Sequence, residues 1–131
     1  MDSSSPLDGT ETLLVVDDEE LILDLLKIAL ARSGYQVLTS ASAQGALTLY
    51  EENQQRIALL ITDLLMPDAD GAELAFQIRQ KNPDLPILIA TGFLSESEVA
   101  SLKKAGIQGV VSKPYRTHEL LKTIRGLLNG E

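Results

Sequence analysis

Five polar residues follow or close apolar runs, and their types suit one chemistry. Asp17 and Asp18 come directly after Thr12–Val16, Asp63 lies inside the end of 57–65, Thr91 follows 87–90, and Lys113 follows Gly109–Ser112. Three carboxylates brought to one place repel one another and are driven toward protonation unless a cation lies among them. Their oxygens are hard ligands, and no Cys or His stands near them in sequence. Such a set suits Mg²⁺, with Mn²⁺ as the substitute ion, because Mg²⁺ keeps several waters and takes one or two protein carboxylates. A phosphoryl group on Asp63 would bring oxygens that complete a metal shell. Lys113 could then pair with its charge, and the Thr91 hydroxyl could donate a hydrogen bond. Phosphoryl transfer is mainly positioning and charge neutralisation, which these residue types supply.

The elements that must position them alternate along the chain. The run TLLVV at Thr12–Val16 reads as a strand buried on both faces. Residues 19–33 carry Ile22, Leu25, Leu26, Ala29 and Leu30 at helical spacing, and Gly34 stops that helix. Gln36–Ser40 is a second strand, and Ser42 caps a helix reaching about residue 53, with Ala46, Leu47 and Leu49 inward. Residues 57–65 form the third strand. After a loop broken by Pro67, Asp70 and Glu73 resemble a capping box opening a helix to about Lys81. Residues 87–90 form the fourth strand. Ser95 and Glu98 repeat the capping-box pattern for a helix ending at Gly106, Gly109–Ser112 is the fifth strand, and Thr117–Leu128 the last helix.

Strict strand–helix alternation with short connections predicts an α/β fold, a parallel sheet with helices on both faces. Open sheets of this kind bind ligands beyond the carboxyl ends of their strands. All five polar residues fall on that edge, which is why the set reads as one site. Residues 1–10 are expected to be a flexible lead-in and 11–131 the single domain.

Composition narrows the function classes. A net charge of −8 and a pI near 4.6 argue against direct nucleic-acid binding, since phosphate backbones need a basic surface. No apolar run is long enough for a membrane span, and residues 1–10 do not resemble a signal peptide. The absence of cysteine excludes a disulfide framework and thiolate metal sites, and suits a cytoplasmic address.

Each residue also has a plainer reading. Asp17 or Asp18 alone would more often cap the following helix, Thr91 alone would be a turn residue, and Lys113 alone a solvated side chain. Asp63 closing an apolar strand is harder to explain structurally, because isolated buried carboxylates are costly. Residues 68–71 lack the acid and the glutamate of a calcium loop, having Met66 and Gln77 at those places. His118, the single histidine, reads as a surface residue.

VVDDEE at 15–20, ITDLLMPDADG at 61–71, IATG at 89–92 and VSKPY at 111–115 closely resemble the receiver domain of two-component response regulators. The resemblance covers about residues 11–128. It implies a doubly wound five-stranded parallel sheet in order 2-1-3-4-5, a flavodoxin-like three-layer sandwich. It implies a phosphoprotein switch in signal transduction and not a turnover enzyme, with Asp63 taking the phosphoryl group of a kinase phosphohistidine. Asp17 and Asp18 match the acidic pair that organises Mg²⁺, Asp63 the phosphoacceptor, and Leu65 the position giving a backbone carbonyl to the metal. Thr91 matches the switch hydroxyl and Lys113 the phosphate-pairing lysine. Lys113–Pro114 matches a bond that is cis in the family.

The implied partners are a histidine kinase or histidine phosphotransfer domain, and a downstream protein meeting the fourth and fifth helices and the fifth strand, with Tyr115 nearby. A homodimer is a further option. The family's switch aromatic is replaced by Val110. Leu65 and Phe93 are apolar at the two positions flanking the hydrolytic water, which predicts a long-lived phosphoaspartate. GTETLLVVDDEE at 9–20 resembles the junction where a receiver follows a kinase core in hybrid histidine kinases. Two rivals stand beside this reading. One is a phosphorylation-independent scaffold, supported by Val110. The other is a phosphatase of the haloacid-dehalogenase kind, which Leu65 opposes because such enzymes carry a second aspartate there.

Overall fold

The computed structural model describes residues 7–66, 69–92, 95–113 and 116–130. In chain order the elements are β1 (Thr12–Val16), α1 (Glu20–Arg32), β2 (Gln36–Ser40), α2 (Ala43–Glu52), β3 (Ile57–Asp63), β4 (Leu65–Met66), β5 (Ala69–Asp70), α3 (Gly71–Lys81), β6 (Ile87–Thr91), α4 (Glu96–Lys104), β7 (Gly109–Ser112) and α5 (Thr117–Leu128). The main sheet runs β2-β1-β3-β6-β7 and every neighbouring pair is parallel. Since β6 and β7 are its fourth and fifth strands, this is the expected 2-1-3-4-5 order. The fold is the flavodoxin-like α/β sandwich.

Strand residues alternate between two cores, as a period of two requires. Leu14, Val16, Leu60, Ile87 and Ile89 pack with Ala46 and Tyr50 of α2 and Leu74, Ala75 and Ile78 of α3. Leu13, Val15, Leu59, Ile61 and Leu88 face the other way, against Leu23, Leu26 and Leu30 of α1 and Leu120, Leu121 and Ile124 of α5. Burial on both sides explains why β1, β3 and β6 read as nearly unbroken apolar runs.

Local signals place the helix ends. The Ser42 hydroxyl accepts from the Gly45 amide at 3.1 Å. Ser95 and Glu98 complete the expected capping box, with Ser95 Oγ taking the Glu98 amide and Glu98 Oε1 taking the Ser95 amide. Gly34 adopts φ +100° beyond α1, a left-handed conformation that favours glycine. Glu73 accepts a hydrogen bond from Gln77, while the side chain of Asp70 lies outside the described residues, so that capping box is not described.

Two expectations are corrected. The third strand ends at Asp63 and not at residue 65: Leu64 bends the chain out of the sheet, and Leu65–Met66 instead pairs antiparallel with Ala69–Asp70. Leu25 does not face inward but is 57% exposed, and Leu23 takes the buried position. Apolar residues go nearly round α1, so helical spacing alone admits more than one inner face.

Candidate functional site

The carboxyl edge of the sheet gathers Asp17, Asp63, Thr91 and Lys113 because β1, β3, β6 and β7 are adjacent, parallel and end near one level. Val16 pairs with Thr62, and Asp63 with Ala90, so Asp17 follows β1 just where Asp63 closes β3. Thr91 pairs with Ser112, and the Lys113 amide donates to the Thr91 carbonyl at 2.7 Å, carrying the β6–β7 ladder one residue farther. Thr91 is 3% exposed.

Asp17 is the most enclosed acid of the group. Its Oδ1 accepts from the Glu19 amide at 2.9 Å at the entry to α1, and its Oδ2 accepts from Lys113 Nζ at 2.7 Å. The Glu19 amide and the lysine thus fall to one side chain, using different oxygens, while α1 has Glu19 at its N-cap and no side-chain cap. Lys113 Nζ also lies 3.3 Å from Asp63 Oδ2, and the side chains of Lys113, Asp17 and Asp63 are 19%, 4% and 12% exposed. Asp17, Asp18 and Asp63 each offer a carboxylate oxygen, all within 4.8 Å of one another.

The electrostatics are unequal across the site. Burial pushes the Asp63 carboxyl above its ordinary value; the Asp17 charge adds to this, and Lys113 and the Leu64 amide only partly oppose it. Burial likewise presses Lys113 to lose its proton, but the bond and charge of Asp17, with the charge of Asp63, outweigh it and raise its pKa. The same lysine is thus secured while relieving Asp63 only in part, its shorter contact going to Asp17. A carboxylate held in that condition gains from any added positive charge.

The donor set fits a hard divalent cation: three carboxylates, no sulfur or imidazole, and one acid whose ionisation is disfavoured without further compensation. Leu65, expected to offer its carbonyl, begins β4 two residues past Asp63. Pro114, Tyr115 and Phe93, including the expected cis bond, lie outside the described residues. Val110 is partly buried against the α2–α3 core, and His118 is exposed.

Sequence reasoning missed a surface beside the acids. Leu21, Leu25 and Ile28 on α1 are 71%, 57% and 55% exposed and lie at i, i+4 and i+7. They form one apolar stripe starting three residues from Asp18. The signal was present in the surplus of apolar residues on α1, more than one buried face needs.

The family model for the response regulator receiver domain matches residues 13–125. The probable transcriptional regulatory protein TcrX of Mycobacterium tuberculosis is 31% identical over 118 residues, covering 89% of this chain and 49% of that protein. Sensor kinase CckA of Brucella abortus is 27% identical over 131 residues, all of this chain but 14% of that protein. Among solved structures, a response regulator receiver domain protein from Clostridium thermocellum superposes with a TM-score of 0.86 at 30% identity, covering 92% of this chain and 95% of that one. The chain thus spans about half the length of TcrX and a small part of CckA.

Proposed function

The chain belongs to the response regulator receiver domain family, and from that premise we propose that Asp63 is its phosphoacceptor in a two-component phosphorelay. The carrying observation is the convergence of Asp17, Asp18 and Asp63 at one sheet edge, with Lys113 paired to Asp17 and Asp63. In the transfer, the N–P bond of a phosphohistidine breaks, an Asp63 Oδ–P bond forms, and the imidazole keeps the electron pair and takes up a proton. Lys113 would pair with the added charge, and Thr91 would donate its hydroxyl. Asp17, Asp18, Asp63 and the Leu65 carbonyl would hold Mg²⁺, which supplies charge neutralisation at the phosphoryl oxygens. Domains of this family are phosphoacceptor switches, not turnover enzymes in the ordinary sense.

The donor is a histidine kinase or histidine phosphotransfer domain, and the α1 stripe supports a docking face for it. Leu21, Leu25 and Ile28 lead from solvent to the first turn of α1, where Asp17 holds the Glu19 amide. A partner helix covering this stripe would bring its histidine over the acids. Output would pass to a protein meeting α4, β7 and α5, and a second copy could occupy the same face. With Val110 in place of a ring, that output rests on the packing of β7 against its core rather than on an aromatic rotation. No helix among the described residues is long and apolar enough to cross a membrane, and we place the domain's action in the cytoplasm, where phosphohistidine donors work. Its similarity to both a transcriptional regulator and a sensor kinase leaves two settings, a regulator and a hybrid kinase.

Treatment with acetyl phosphate and Mg²⁺ should add the mass of one phosphoryl group, and Asp63→Asn should abolish the gain. Uptake by Asp63→Asn equal to that of the unaltered protein would overturn the assignment. Leu25→Asp should slow transfer from a phosphohistidine donor by about tenfold, in line with the loss of one well-placed apolar contact, and leave acetyl phosphate uptake unchanged. The apolar Leu65 and Phe93 support a slowly hydrolysed phosphoaspartate, so Leu65→Asn should speed its decay.

A further inference from the structure

The opposite, amino edge of the sheet holds a second constellation, unrelated to the phosphoacceptor. Leu7 to Glu11 run along the ends of α1 and α5. Arg125 of α5 grips them: its Nη2 and Nη1 donate to the two Glu11 carboxylate oxygens at 2.6 and 3.1 Å, and Nη1 also donates to the Asp8 carbonyl and the Tyr35 hydroxyl, each at 3.2 Å. The Tyr35 hydroxyl in turn donates to the Leu7 carbonyl, and the Gly9 amide to the Ser33 carbonyl at 3.0 Å. Leu7 packs against the α1–α5 core with Leu127 and Leu128. Residues 7–10, expected from sequence to be part of a flexible lead-in, are held on three sides.

Two glycines make the fit selective. A Cβ on Gly9 would overlap Arg125 Nη1, Glu11 Oε1 and the Tyr35 ring, and one on Gly34 would strike the Gly9 carbonyl. Strap, α1 terminus and guanidinium therefore occupy one shared space, in which a side chain at either glycine must displace a neighbour. The Glu11 pKa is lowered, foremost by its bond to Arg125, as expected of a committed pair.

We infer that residues 7–11 and the C-terminal half of α5 form one cooperative unit, a latched strap that opens only when that part of α5 opens. Segments so bound share one opening free energy, whereas a strap merely resting on α5 would open by itself. The latch gives α5, whose first residue follows Lys113 by four positions, a mechanical tie to the chain preceding β1.

Amide hydrogen exchange tests this on the whole chain. In the unaltered protein, the Gly9 amide and the amides of Arg125 to Leu128 should show matching protection. Gly9→Ala and Glu11→Ala, which alter only the strap, should each lower protection across Arg125 to Leu128 by about tenfold, the scale of one charge-assisted bond. The β3 amides Leu59 to Ile61 should keep their protection, which separates unlatching from general loss of stability. Faster exchange confined to the strap in both variants would overturn the inference. So would unequal protection of Gly9 and α5 in the unaltered protein.

Discussion

The two edges of the sheet handle charge in opposite ways. At the carboxyl edge three carboxylates gather, two of them share one lysine, and Asp63 is left with its ionisation disfavoured. At the amino edge two arginines are each bound to several acceptors. Arg79 donates to the carbonyls of Asn82, Pro83 and Gly106 and to Gln108 Oε1, while Arg125 takes Glu11, Asp8 and Tyr35. Topology sets the contrast. Helices run antiparallel to the strands they cover, so helix C-termini with their free carbonyls collect at the amino edge and call for donors. The carboxyl edge instead collects helix N-termini, and Asp17 takes the Glu19 amide there; burial and the neighbouring Asp17 charge still leave Asp63 undercompensated. A molecule built this way keeps its uncancelled electrostatic tension where an incoming group can relieve it.

Removing the one lysine should break the contrast most. Lys113→Met leaves Asp17, with a side chain only 4% exposed, without a cation, and should cost about 3 kcal/mol in urea unfolding, the scale for stripping one partner from a buried pair. The loss should shrink when Mg²⁺ is added, since the ion would restore positive charge among the acids. Arg79→Met should cost less, about 2 kcal/mol, because its acceptors are neutral and partly reached by water. That loss should be indifferent to Mg²⁺. Equal responses of the two variants to the ion would erase the distinction between the edges.

The carboxyl edge was legible in sequence and the amino edge was not, for a physical reason. A strand buried on both faces must be apolar until it leaves the core, so the first polar residue marks its end and hence the edge. Asp17, Asp63, Thr91 and Lys113 announce themselves as polar residues at or just past the ends of such apolar runs. Arg79 and Arg125 act through long side chains on acceptors as far as 29 and 117 residues away, with no local pattern to betray them. Leu25 was misplaced because α1 carries apolar residues for two purposes, core and surface, which periodicity sums into one signal. The third strand was drawn too long because Leu64 and Leu65 continue its apolar character after the backbone has turned away.

The smallest effects separate the edges by sign. The Asp63 carboxyl has a folded-state pKa above its ordinary value of 3.8, so the folded protein keeps this proton where the unfolded chain has lost it. Stability from Asp63 is therefore greatest below the unfolded pKa and declines as pH rises through the folded one. At neutral pH its ionisation is a net cost, and Asp63→Asn should stabilise the fold while ending phosphoryl uptake. Glu11 behaves in reverse. Its folded pKa lies below 4.5, so its contribution is full above that value and fades as pH falls through the lowered one. As pH falls from neutrality, protonation should relieve Asp63 and, at Glu11, release its bond to Arg125. Chemical denaturation across that fall in pH should show Asp63→Asn with its advantage shrinking on acidification, and Glu11→Gln with its deficit shrinking at the acid end. An Asp63→Asn advantage constant with pH would mean that the gain comes from shape and not from charge, and that the carboxyl edge stores no electrostatic tension.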